Sequence, residues 1–362
     1  MSTYKVLGLM SGTSLDGLDI AYCHIWEKDG KWNFSIHETA EIDYADNMRE
    51  YLKNAIHLSE EDHAQLHKDY GIWLGQQCRL FIDELGEEVD FIASHGHTSH
   101  HRPKDGVTFQ LGDGQFLANT SGKQVICDFR SKDVSLKGQG APLVPIGDKL
   151  LFHEYDFCLN LGGISNISFE KDGERIAYDI GLANMPLNYI THKMGLAYDE
   201  DGRLARSGKL DATLLQQLNN LEYYRLPYPK STGYEWFTSK IVPLIEASKI
   251  SNEDLLHTFI HHNCEQIAIA AQKHKNKGNS KSNLLATGGG ALNKFFMDTL
   301  QDKLGSAFEV IVPDKTLIAY KEALVFALMG VLRLEGKTNV LKSVTGAIKD
   351  SCSGEVFFPQ EV

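Results

Sequence analysis

Two strand–turn–strand units with polar, glycine-bearing turns, one opening the chain and one near its middle, limit what this sequence can fold into more than any other feature. In the first, the apolar runs YKVLGLM (from Tyr4) and LDIAYCHIW flank the turn of GLMSGTSLDGLD, and KWNFSIHETAEI follows as a third strand. In the second, DFCLNL leads through a Gly/Ser/Asn turn into the two further strands of GGISNISFEKDGERIAYDIG. Apolar runs separated by short turns predict an antiparallel meander in each unit. Residue identity between them is slight, so the repetition is one of architecture and not of sequence. Reversing a chain takes only one or two turn-forming residues. The first turn carries glycine, threonine, serine and aspartate together, which asks more of it than a change of direction.

Elsewhere the pattern is mixed. Ser59 with Asp62 resembles a capping box opening the helical stretch HAQLHKDYGIWLGQQCRLFIDEL. Shorter strands are expected at VDFIASHG, VTFQLG and KQVICDF, with a helical piece near 114–120, and the clearest later helices over 182–194, 209–221, 251–274, 292–304 and 316–334. The class is α/β. A chain of 362 residues exceeds one ordinary core, so two domains with a cleft between them are expected. Its formal charge of −12 argues against a nucleic-acid or anionic-membrane partner, though not against phosphates held by amides and a metal ion. The six cysteines are far apart and several lie in strand-like runs, which predicts buried, reduced thiols. With no leader pattern and no apolar run long enough to cross a bilayer, a cytoplasmic location is expected.

Each polar motif admits a plain reading beside a chemical one. Gly12, Thr13 and Ser14 at the first turn, and Gly162, Gly163 and Ser165 at the second, can aim amides and hydroxyls at phosphate oxygens or simply close two hairpins. Asp16 or Asp19 can hold Mg²⁺ through water, because that ion keeps most of its waters and takes few carboxylates. LLATGGGALN runs a strand into Gly288, Gly289 and Gly290 and then a helix, letting a flat ring or phosphate approach the backbone. It lacks GxGxxG spacing, and no GxxxxGK[ST] loop occurs. SHGHTSHHRP brings His95, His97, His100 and His101 together as a metal site, a polar loop for a hydroxylated ligand, or a surface loop. Without HExxH spacing or a nearby cysteine the metal is the weakest of the three. Asp179 is a helix N-cap or a general base, and residue pattern alone favours the cap. Glu322 reads as a first-turn acid complementing a helix dipole.

Taken in order, GLMSGTSLDGLD, SHGHTSHHRP, DFRSKDVSLKGQGAPLVP, NLGGISNIS, YDEDGRLARSG, STGYEWF, TGGGALN and SVTGA closely resemble the motifs of anhydro-N-acetylmuramic acid kinases, from about Gly8 to Pro359. The resemblance implies a two-domain, actin-like ATPase of ribonuclease H-like fold with an interdomain active-site cleft. Its subdomains would be 1–134, joined by the helix near 316–334, and 135–362. It implies ATP and Mg²⁺, with Gly12, Thr13, Ser14, Asp16, Gly17 and Asp19 in the first phosphate hairpin and Gly162 and Gly163 in the second. Gly288, Gly289, Gly290 and Asn293 would border the adenosine, and Asp16 and Asp19 would face the metal. The implied reaction opens 1,6-anhydro-N-acetylmuramic acid with water at C1 and phosphorylates O6, giving N-acetylmuramic acid 6-phosphate and ADP in cell-wall recycling. The family's base maps to Asp179 and a substrate-contacting acid to Glu322. His97, Thr98, Arg130, Asp133 and Asn184 fall on the sugar side, where Arg130 would pair with the lactyl carboxylate. The same resemblance implies small-molecule partners, no nucleic acid or membrane, and a homodimer.

The chain departs from the family pattern in three places. His97 stands where a glutamine is usual and would make affinity more pH-sensitive; GLAN replaces GPGN after Asp179, and Lys137-Gly138 replaces a doubled glycine. Two alternatives stay open: an ATPase that senses muropeptide fragments without phosphorylating them, and a kinase for a different sugar. A sugar-kinase-fold regulator would usually carry an N-terminal helix-turn-helix, for which a first strand beginning by Tyr4 leaves no room.

Overall fold

The computed structural model describes residues 2–12, 15–276, 278 and 280–360. It divides into a unit formed by Met1–Leu151 with Tyr320–Val362 and a second formed by Phe152–Ala319. The division expected after residue 134 falls inside the first unit, which also takes in the whole C-terminal segment beyond the helix Lys315–Leu334. The first unit carries strands β1 (Thr3–Ser11), β2 (Gly17–Lys28), β3 (Lys31–Asp43), β4 (Phe91–Ser94), β5 (His97–Arg102), β6 (Val107–Leu111) and β7 (Gln124–Cys127). The second carries β8 (Phe157–Leu161), β9 (Ile164–Lys171), β10 (Glu174–Leu182), β11 (Ser282–Thr287) and β12 (Phe308–Ile311), after which the chain returns to the first for β13 (Glu355–Phe357).

The two main sheets share one topology. The first runs β13-β7-β4-β1-β2-β3 and the second β10-β9-β8-β11-β12. In each, an antiparallel meander (β1-β2-β3, β8-β9-β10) has two parallel strands added beside its first strand, β4 and β7 in one, β11 and β12 in the other. Parallel neighbours need crossover connections. The helix Glu60–Leu85 lies on the crossover from the first meander to β4, and the helix Gly114–Ser121 on the way from β6 to β7. Ser59 accepts from the Asp62 amide, as a capping box predicts, and its hydroxyl donates to the Asp62 carboxylate. The duplicated architecture is thus present in the backbone although the residues barely repeat.

The His-rich stretch is not a loop. His97–Arg102 is β5, paired antiparallel with β6, with a bulge between Thr98 and His100. Its sequence has no apolar alternation, so backbone pairing and the bulge, not side-chain pattern, hold it extended. Five of the cysteines are buried and the sixth, Cys352, half-buried, and all are free thiols. No helix among the described residues is long and apolar enough to cross a membrane.

The helix Lys315–Leu334 closes the first unit's sheet on the face opposite the helix Glu60–Leu85. Ala323 to Met329 are buried throughout, and the approach to β1 is so close that a Cβ on Gly8 would overlap the Ala323 carbonyl oxygen. Backbone cannot yield as a flexible side chain can. Gly8→Ala is therefore expected to lower stability by about 3 kcal/mol, read from the midpoint of urea unfolding; an unchanged midpoint would mean the helix is not seated on β1 as described.

Candidate functional site

The first unit gathers its polar residues where β1, β4 and β7 end. Gly12 begins a turn in which the Leu15 amide donates to its carbonyl at 3.3 Å, with Leu15 at φ 62°. Thr13 and Ser14 lie outside the described residues. Gly17 lies in the β2–β3 pairing and not at the turn tip, and a Cβ there would stand 2.6 Å from the Ile42 carbonyl oxygen. Asp16 is exposed, whereas Asp19, on β2 opposite Glu41, is partly buried. Burial and the neighbouring charges of Glu41, Glu322 and Asp16 push the Asp19 carboxyl up to about 7. No set of three or more His, Cys, Asp or Glu among the described residues converges as a ready-made metal site.

At the end of β4 and in β5, the four imidazoles take four different partners. His95 accepts from Arg130, His97 Nδ1 meets Ser11 Oγ at 3.2 Å, His100 meets Ser99, and His101 meets Thr108. Ser11 also receives Tyr44 Oη at 2.6 Å, and Tyr44 meets Tyr70. Burial drives the His97 pKa down to about 4, so its ring stays neutral well below pH 7. The expected pH sensitivity from replacing glutamine by histidine is therefore corrected: near neutrality this imidazole is as uncharged as the amide it replaces. Thr98 Oγ1 accepts from Gln110 at 3.3 Å and keeps its own proton to donate.

Arg130 precedes the short helix Ser131–Ser135. Burial lowers its pKa to about 10, against the opposing pull of Glu322 and Asp133. Glu322 is raised by burial and drawn back by Arg130 and Lys321. It lies beyond the first turn of its helix, a turn holding no acid, so the dipole reading of this residue is overturned. Asp133 is fully buried, accepting from the Gly140 amide at 2.8 Å and from Thr345 Oγ1 at 2.7 Å. It faces protein rather than solvent and braces the loop carrying Arg130's partner Gly140. Lys137, at φ 68°, occupies a left-handed conformation, which accounts for glycine as the family's usual residue there. Beside His95, a cavity of about 280 Å³ is lined by His67, Gln110, Asp113, Asp128 and Glu355. None of the nucleotide- or sugar-binding candidates lines it.

The second unit builds a different site. Asp179, on β10 at a bulge, is not an N-cap: the cap position of the helix Asn184–Lys193 is Ala183, and Asp179's oxygens are taken elsewhere. Asn166 Nδ2 donates to Oδ1, and the Thr232 amide donates to Oδ2 at 2.9 Å. Its backbone is fixed too, the amide on Lys230 and the carbonyl receiving Tyr223 Oη at 2.8 Å. Burial raises its pKa, while Thr232, Asn166 and the Lys230 charge hold it down. Lys230 itself is lowered to about 8, chiefly by burial and by Lys273. Sequence reasoning assigned no role to Asn166, Tyr223, Lys230 or Thr232, although NLGGISNIS and STGYEWF contain the first and last of them.

The glycines of this unit converge. Gly162 and Gly163 form the β8–β9 turn, and their carbonyls accept from Asn184, Ala183 and Met185 at the start of the helix Asn184–Lys193. Asn184 Nδ2 donates to Leu161. Gly288, at φ 79°, and Gly290 press on Asn160, Leu161 and Asn184, while a Cβ on Gly289 would meet open space. Ser165 is buried and donates to Gly181. Asn293 caps the helix Lys294–Leu304 by accepting from Phe296. The turn glycines, Asn184 and Gly288 to Gly290 thus form one surface, whereas Ser165 and the Asn293 carbonyl oxygen are taken up within the fold.

The Asp19 shift has a thermodynamic consequence. A carboxyl whose pKa is higher folded than unfolded binds protons more tightly in the native state. Its contribution to stability is complete below the ordinary value of 3.8 and lost as pH rises through about 7. Wild type should lose more stability than Asp19→Asn between about pH 5 and about pH 8, in urea titrations. Equal losses would contradict the burial of that charge.

A family model described as anhydro-N-acetylmuramic acid kinase matches residues 4–359. The anhydro-N-acetylmuramic acid kinase of Hydrogenovibrio crunogenus is 32% identical over 98% of this chain and 98% of its own length. That of Aliivibrio fischeri is 35% identical over 98% and 99%. Among solved structures, component A of the Acidaminococcus fermentans (R)-2-hydroxyglutaryl-CoA dehydratase superposes with a TM-score of 0.44 and 15% identity over 90% of this chain and 96% of its own, too slight a likeness to bear on function.

Proposed function

The chain belongs to the anhydro-N-acetylmuramic acid kinase family, of the actin, heat-shock-70 and sugar-kinase superfamily, and from that membership we propose that it hydrolytically opens 1,6-anhydro-N-acetylmuramic acid while phosphorylating O6 from ATP. The setting is cytoplasmic recycling of cell-wall sugars. The observation that carries the reading is Asp179, a half-buried carboxylate oriented by Asn166 and Thr232 with its pKa raised by burial.

In this reading Asp179 takes a proton from water as the water oxygen bonds to C1. The C1–O6 bond breaks, O6 bonds to the γ-phosphorus, and ADP leaves. A base works best when its pKa approaches the working pH, and burial moves Asp179 in that direction. The Asn166 and Thr232 donors hold both oxygens, so the lone pair facing water is set before substrate arrives. Turn amides at Gly162 and Gly163 and the open backbone at Gly289 would receive phosphates and adenosine. On the first unit, Gly12, Asp16 and Asp19 are the residues proposed to contact ATP, and Arg130, Glu322 and Thr98 those proposed to contact the sugar.

Asp19 and its acidic neighbours fit a divalent cation, since a carboxylate raised by burial and by like charges is relieved by one, and Asp16 and Asp19 would hold it through water. When bound, Mg²⁺ would neutralise charge on the transferring phosphoryl group. The sugar-sensing alternative predicts binding without turnover.

The test is ADP release with ATP, Mg²⁺ and the anhydro sugar, with the product identified by mass. One phosphoryl group plus one water is expected. Phosphate without water would mean an ordinary sugar kinase, and no sugar-dependent ADP would favour a sensor. Asp179→Asn should cut turnover at least about 100-fold while nucleotide affinity, by calorimetry, stays within about 3-fold. A near wild-type rate would displace the base from Asp179.

A further inference from the structure

We propose that His95 is a positioning residue for Arg130, turning one edge of the guanidinium toward a ligand carboxylate and so making the chain selective for anhydro sugars that bear an acidic ether. The inference deepens the sugar-kinase reading above and rests on it.

The hydrogen-bond count around Arg130 leads to this assignment. A guanidinium has five N–H groups: one on Nε and two on each terminal nitrogen. Arg130 Nε and Nη2 both donate to His95 Nε2, at 3.1 and 2.8 Å, and Nη1 donates to the Gly140 carbonyl at 2.5 Å. One N–H on Nη1 and one on Nη2 remain. That pair is the fork that receives a carboxylate in two parallel bonds. Among the described residues no carboxylate lies within ion-pair distance of Arg130: Glu322 and Asp133 act on it only at longer range, and Asp133 already accepts from Gly140 and Thr345. Neither acid is hydrogen-bonded to that fork, so a ligand carboxylate can take it directly.

His95 suits the task for three reasons. It is only 5% exposed, wedged 4.7 Å from the Phe326 ring, with its backbone amide on Leu9, so it cannot swing. Burial and Arg130's charge hold its pKa well below the ordinary value, which leaves Nε2 free to accept and places the proton on Nδ1. And it is uncharged. A carboxylate at this position would orient Arg130 equally well but would neutralise it, weakening its attraction for a ligand anion, whereas an imidazole orients without cancelling.

The experiment is calorimetric, without turnover, using wild type, His95→Leu and His95→Gln against 1,6-anhydro-N-acetylmuramic acid and against 1,6-anhydro-N-acetylglucosamine, which lacks the lactyl group. His95→Leu should weaken the muramic sugar by roughly 10- to 100-fold and the glucosamine sugar by less than about 3-fold. His95→Gln, which keeps an acceptor, should restore most of the difference. In an Arg130→Gln background, which buries no guanidinium and so keeps the test alive should His95→Leu alone not fold, adding His95→Leu should change neither affinity further. Equal weakening of both sugars, an unchanged muramic affinity, or additive losses in the Arg130→Gln background would overturn the assignment. Wild type that binds the two sugars equally would refute it while leaving the kinase reading intact. Wild type that binds neither sugar would sink the function reading itself, and this assignment with it.

Discussion

Parallel pairing of β4 to β1 and of β7 to β4 is the constraint on which the first unit depends. Because the strands run the same way, their carboxyl ends fall along one edge, and whatever follows each strand is delivered there. Ser11 ends β1, His95 follows β4, and Arg130 follows β7 at a short remove. Residues far apart in sequence therefore meet without any long loop. The second unit repeats the arrangement, with Gly162 after β8 and Gly288 after β11. An antiparallel sheet of the same strands would have scattered these groups over two edges.

Two aspartates show how environment divides similar chemistry. Asp19 and Asp179 are both raised by burial, but the other influences on them have opposite signs. Asp19 is surrounded by carboxylates that push it further, so burial and neighbouring charge both oppose its negative charge. Asp179 has an amide, a side-chain donor and a lysine that oppose that rise and hold the carboxylate pointed in one direction. Hydrogen bonds to the charged form are the difference.

Much of the fold is legible in the sequence because its main signals are local. Apolar alternation marks β1 to β3, Ser59 caps its helix, and glycine turns close both meanders. What is not legible depends on partners elsewhere. β5 has the sequence HTSHHR and is a strand only because β6 pairs with it. That Asp179 is no helix cap follows from its bonds to Asn166 and Thr232, neighbours through the β9–β10 pairing and through a loop over fifty residues away. The contact of His95 with Arg130 spans 35 residues, beyond the reach of any periodicity. The resemblance to a family supplied Asp179, Arg130 and Glu322 by position, but not what holds them.

The first unit is discontinuous, and its closing segment comes last. β13 pairs with β7, Thr345 bonds Asp133, and Arg333 reaches the Gly354 carbonyl, so the edge beside Arg130 is braced by residues that come after the second unit in the chain. On the ribosome, the inserted second unit can collapse while the first still lacks its covering helix and edge strand. The order in which the units can finish folding thus runs against the order in which they begin: the segment that emerges first must wait for residues beyond the second unit.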